Sequence, residues 1–169
     1  QQHRGGVAQP LPGASINQIS GLIERLSAAP YAGHADLADI ANSLALEVDD
    51  LFPTAEALHI LEFAELKDGA VKLTAAGQVF GQSGIEERKR LFKEHLLRFV
   101  PLAAHIRRVL EERERHKAPR LRFEAELEDH LTRRDAERTL RVVTGWGRYS
   151  ELFAYDEKSR RFTTIHAIE

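Results

Sequence analysis

The chain carries eight histidines and no cysteine, so histidine and carboxylate side chains are its only means of binding a metal or moving a proton. Thiolate nucleophiles, disulfides and cysteine-ligated zinc are excluded. Glu126 and His130 stand four residues apart, on one face of a predicted helix, a spacing two metal ligands can share. His95 and His105 flank a predicted helix break. Neither set brings three ligands together in sequence. The favoured reading makes His95 and His105 packing residues and Glu126–His130 a surface helix pair. The acidic run Glu124, Glu126, Glu128 and Asp129 spreads over several helix faces, which reads as a solvated surface rather than acid–base machinery. No G-x-x-x-x-G-K-[ST], G-x-G-x-x-G, G-x-S-x-G or H-E-x-x-H motif occurs. Gly145-Trp146-Gly147 follows a helix, the wrong context for a dinucleotide loop. The expectation is a non-enzymatic chain with no catalytic residue, metal or cofactor of its own.

The densest chemistry is cationic. Arg133, Arg134, Arg138 and Arg141 lie on or beside one predicted helix, and Lys158, Arg160 and Arg161 lie in the hairpin after it. Such a set can contact DNA phosphates or another anion. Asp135 and Glu137 interrupt the helix cluster, and Glu151, Asp156 and Glu157 dilute the hairpin. Charge is also divided along the chain. Residues 1–84 hold 4 Lys/Arg against 10 Asp/Glu, a net −6; residues 85–169 hold 20 against 16, a net +4. The acidic half is a poor partner for nucleic acid. Trp146, Tyr149, Phe153 and Tyr155 surround Gly145 and Gly147. They suit stacking on a base or a small ligand, but packing between a helix and a hairpin is favoured, with the glycines permitting close approach.

Those residues must be positioned by a globular scaffold, given 43% hydrophobic and 30% charged residues. No apolar run approaches the ~20 residues of a membrane span. The start, Gln1 to Gly6, lacks the apolar core of a signal peptide. The absence of methionine suggests a segment of a longer protein. Residues 1–14, rich in Gly, Pro and Gln, read as a linker. Ser15 is placed to cap a helix from Ile16 to about Ala28, and helices follow over Asp36–Leu44 and Asp49–Leu61. The period then changes. Asp68-Gly69 between two short apolar runs predicts a hairpin with a primed turn. Thr74 caps a short helix, Ala75–Phe80. Ile85–Phe99 is strongly periodic, and Pro101 opens another helix, Leu102–Arg113. The polar stretch Glu114–Arg120 reads as a loop. Helices over Leu121–Leu131 and from Thr132 to Trp146 precede a second hairpin, Glu151–Tyr155 with Arg161–Ile165.

Helix, helix, helix, hairpin is the order of a winged helix, and it occurs twice. The expected fold is mainly α with small β-hairpins, as two tandem winged-helix units at 15–84 and 100–169 joined by the helix 85–99. Leu91, Phe92, His95 and Phe99 on that helix are the candidate interface residues.

Particular stretches carry a family resemblance. They are Ala35–Asp39, Leu46–Leu51, Glu56–Leu58, Ile85–Phe92, Val100–Ile106, and Trp146–Tyr149 with Leu152–Tyr155. Together they resemble the AAA-associated C-terminal domain, found after the ATPase domain in certain ATP-binding subunits of nitrate/sulfonate/bicarbonate-type ABC importers. The resemblance runs from about Ile16 to Tyr155, and Ile85–Phe92 and Val100–Ile106 are its most specific parts. It implies a cytoplasmic accessory module, peripheral to the inner membrane through a transporter, with ATP chemistry confined to a preceding domain. Its expected partners are that ATPase domain or a second copy of itself in a homodimer. Two other readings stand beside it: a transcription regulator binding DNA through the second unit, and a small-anion sensor using the aromatic group.

Overall fold

A computed structural model describes residues 6–165 of the chain; residues 1–5 of the predicted linker and 166–169 of the last unit lie outside the described residues. Among the described residues eight helices and two small antiparallel sheets make the fold mainly α with β-hairpins, the expected class. Residues 12–88 form one compact unit. Residues 89–165, together with 6–11, form the other.

In the first unit α1 (Ile16–Ser27) begins at a capping box. The Ser15 hydroxyl accepts from the Gln18 N–H, and the Gln18 side chain accepts from the Ser15 N–H. Ile19, Leu22, Ile23 and Leu26 put its apolar stripe into the core. Strand β1 (His34–Asp36), α2 (Leu37–Ser43) and α3 (Val48–Ile60) follow, then β2 (Ala64–Lys67) and β3 (Ala70–Leu73). Asp68 and Gly69 both have positive φ, 53° and 78°, as a primed turn demands. The sheet order is β1-β3-β2, with His34 opposite Lys72 and Ala64 opposite Leu73. Thr74 caps α4 (Ala75–Gln82) and also donates to the Glu62 carbonyl. Arg88 satisfies carbonyls near the end of α4: its guanidinium donates to the carbonyls of Phe80, Gly81 and Ser83 and pairs with Glu24 at 2.8 Å.

Helix α5 (Ile85–Phe99) carries the chain into the second unit. There α6 (Pro101–Glu112), β4 (Lys117–Pro119), α7 (Arg120–Glu128), α8 (Arg133–Tyr149), β5 (Ala154–Asp156) and β6 (Arg161–Thr163) repeat the earlier order. The sheet order β4-β6-β5 repeats it too. Pro101 occupies the first helical position, and the Thr132 hydroxyl accepts from the Asp135 N–H to cap α8. Phe162 of β6 is the hub of the core, with ring centroids of Phe123, Phe153 and Tyr155 at 5.5, 5.2 and 4.8 Å.

Three expectations differ from the structure. The stretch Glu114–Arg120 is not wholly a loop, because Lys117–Pro119 pairs with β6 and Arg120 opens α7. Each hairpin therefore gains a third strand, since β1 also pairs with β3. Residues 6–14 are not a free linker. Leu11 is 1% exposed, because it inserts into the second unit beside α8, and Ala14 is buried too. The aromatic group around Trp146 packs as favoured. Trp146 and Phe153 are buried, and the Phe153 ring lies where a Gly147 side chain would sit. Gly145 differs, with nothing within 4 Å of an added Cβ.

Gly147→Ala should therefore destabilise the second unit by about 1–3 kcal/mol through overpacking. Gly145→Ala should stabilise it by about 0.5–1 kcal/mol, since glycine is poor in a helix interior. Urea unfolding of the two variants measures the difference, and equal midpoints would contradict the packing described.

Candidate interaction surfaces

The expected interface on α5 is divided by burial. Phe92 is fully buried, edge-on to Trp146 at 6.1 Å and Tyr149 at 5.3 Å, so it belongs to the core and offers no surface to a partner. Leu91, His95 and Phe99 are half-buried at four-residue spacing along one side of the helix. The His95 and Phe99 rings lie 5.4 Å apart, and the Arg98 guanidinium sits over Phe99 at 5.3 Å.

The cationic candidates of the second unit also separate. Arg138 faces the N-terminal segment: its Nε donates to the Leu11 carbonyl at 3.0 Å, and its Nη1 pairs with Asp135 at 3.1 Å. Beside it the buried Thr139 hydroxyl accepts from the Leu11 N–H at 3.1 Å. Arg141 pairs with Glu137 at 3.9 Å, and Arg160 pairs with Glu124 at 3.5 Å. Arg133, Arg134, Lys158 and Arg161 are exposed, and among the described residues none of them has a salt bridge. In the turn of the β5–β6 hairpin the Ser159 hydroxyl and then the Ser159 N–H donate to Asp156. They hold its carboxyl below the ordinary carboxylate range.

Arg120 was not among the sequence candidates, yet it organises this face. Its side chain is only 10% exposed; Nε binds Glu124 at 2.8 Å, and Nη2 lies 3.8 Å from Glu137. Arg148 pairs with Glu157 at 3.1 Å. Arg120, Arg141, Arg148 and Arg160 together line a cavity of about 480 Å³ between α8 and the hairpin, with Gly145 and Tyr155 on its walls. Glu124 and Glu126 of the acidic run are thus not a solvated surface. Glu124 holds two arginines, and Glu126 binds His105 at 2.9 Å and Arg122 at 3.6 Å rather than pairing with His130. Among the described residues no three His, Asp or Glu side chains gather as a metal set.

The first unit presents a different surface. Residues 42–50, the end of α2 and the start of α3, are exposed without interruption. Leu44, Leu46, Val48 and Phe52 stand in solvent there, Leu46 at 44% and Phe52 at 43% exposure. Glu47, Asp49 and Asp50 sit among them. The two aspartates occupy the first turn of α3, where the helix dipole favours negative charge; Glu47 makes no side-chain cap. From residue 26 to 66 there are eight Asp/Glu and no Lys or Arg. Among the described residues no helix is long and apolar enough to cross a membrane.

A family model described as the C-terminal AAA-associated domain matches residues 38–156, from α2 of the first unit to β5 of the second. No curated protein and no solved structure matches the chain.

The Leu11 anchor can be tested by Thr139→Val, which keeps the shape and leaves the Leu11 N–H buried without an acceptor. The variant should lose about 1–3 kcal/mol of stability. Hydrogen exchange at the Leu11 amide should speed up in step. An unchanged rate would mean that the segment is not held by this bond.

Proposed function

The chain belongs to the family of C-terminal AAA-associated domains, and on that premise we propose that it is a non-enzymatic module that regulates an ATPase by contact. The observation that carries this reading is the exposed apolar and acidic surface at the α2–α3 turn. In a tandem winged-helix arrangement α3 is the helix that would enter a DNA groove. Here it carries Asp49, Asp50 and Glu56 and no Lys or Arg, and so repels phosphate. Exposed Leu44, Leu46, Val48 and Phe52 form a clustered apolar patch within that negative charge, the composition of a protein contact. The partner is the ATPase domain of an importer-type subunit, on the cytoplasmic side of the inner membrane. The module biases closure of that domain by binding one of its conformations better than the other.

The segment that would connect to a preceding ATPase domain is seated on the second unit through Leu11, which supports transmission along the chain. The half-buried line Leu91, His95 and Phe99 is a second contact in this reading, available to a homodimer mate. The parent ATPase polypeptide carrying Leu46→Ser with Phe52→Ser tests the proposal. Both positions are exposed, so the urea midpoint should hold. The rate of ATP hydrolysis should change by about fivefold, which corresponds to roughly 1 kcal/mol of lost coupling. An unchanged rate at unchanged stability would contradict the proposal.

A further inference from the structure

The cavity between α8 and the β5–β6 hairpin has the charge and shape of a ligand site, and this holds whether or not the chain regulates an ATPase. Four guanidiniums from three elements line it: Arg120 from the start of α7, Arg141 and Arg148 from α8, and Arg160 from the hairpin turn. Three carboxylates face them: Glu124, Glu137 and Glu157. Glu124, 22% exposed, is the firmly placed one, and Glu157 is the most exposed, at 76%. Glu124 lies 2.8 Å from Arg120, and Glu157 lies 3.1 Å from Arg148.

Glu137 is different. Its Oε2 lies 3.8 Å from Arg120 Nη2 and 3.9 Å from Arg141 Nε, near enough to attract both and too far to hydrogen-bond either. Its side chain is 56% exposed, so it can turn into water at little cost. It is a carboxylate oxygen held loosely between two guanidiniums. An oxyanion in that place would accept charge-assisted bonds from both. With Glu137 turned out, four cations face two carboxylates. The excess of two positive charges matches a dianion.

We propose that this cavity binds a small dianionic oxyanion of the phosphate class, bridging Arg120 and Arg141. Guanidinium forks fit such oxyanions in a way that point-charge ammonium groups do not, and the cavity wall is built of arginine alone among the cations. Arg120 is pre-oriented by Glu124 and by its burial, so little order is lost on binding. Gly145 leaves one wall open, with nothing within 4 Å of an added Cβ. The volume of about 480 Å³ leaves room beyond the anion for the body of a small phosphate monoester.

The test is calorimetric titration of the chain with inorganic phosphate at fixed ionic strength, with sodium chloride as the control. Saturable one-site binding is expected with phosphate and not with chloride. Gly145→Leu fills the cavity without touching a charge and should weaken binding by about tenfold or more. Glu137→Gln removes the competing carboxylate and should tighten binding several-fold. That increase sets a ligand site apart from a structural ion network, which would only be weakened. Urea midpoints of both variants establish that they fold. A linear, chloride-like titration would overturn the proposal. So would wild-type affinity in folded Gly145→Leu, or weaker binding in Glu137→Gln. A short DNA duplex that binds through Arg133 and Arg134 while phosphate does not bind would assign this side of the unit to nucleic acid and overturn it as well.

Discussion

Burial of the apolar stripe of α8 is the interaction on which the second unit depends. Ala136, Leu140, Val143 and Trp146 face inward, and Thr139 and Gly147 lie among them. Each small residue on that stripe admits something from elsewhere in the chain. Gly147 admits the Phe153 ring, which seats the hairpin through Phe162. Thr139 receives the Leu11 amide, which fixes the N-terminal segment. Trp146 meets Phe92, which draws α5 into the same core. A larger residue at 147 or an apolar one at 139 would therefore disturb a neighbour as well as the helix. The outward side of the same helix then has a fixed position. Arg141, Gly145 and Arg148 present one wall of a cavity whose other walls are Arg120 and the hairpin.

The two units share an element order and a strand order but not a surface. In the first, the turn before α3 is apolar and acidic. In the second, α8 and its hairpin are cationic, held in register by carboxylates. Their opposite charge suits different partners, and it explains why a near-neutral whole chain says little about what either unit touches.

Much of this was legible in the sequence where the determinant was local. Ser15, Thr74 and Thr132 are caps because a hydroxyl one turn before the amide that donates to it needs no distant partner. Asp68-Gly69 sets a primed turn by backbone preference alone. What escaped depends on distant residues. Strands β1 and β4 are three residues long, too short for alternation to show, and they exist because β3 and β6 offer them an edge. Leu11 sits in a Pro- and Gly-rich stretch whose composition reads as a linker; its acceptor is 128 residues away. Arg120 looked like the end of a loop; once it opens α7, Glu124 is its i+4 neighbour, but only the fold brings it to one cavity with Arg141 and Arg160. The periodicity of α5 identified an apolar side, but it did not separate buried Phe92 from half-exposed Leu91.

The proposed function stands on the α2–α3 turn being a protein contact surface. Hydrogen exchange of residues 44–52, compared between this chain alone and this chain joined to the ATPase domain proposed as its partner, in the nucleotide-bound state, tests it most directly. A contact surface there slows exchange by about tenfold or more at these amides in the joined protein, with β1–β3 unchanged. Identical exchange in the two, with the turn open to solvent in both, would contradict it.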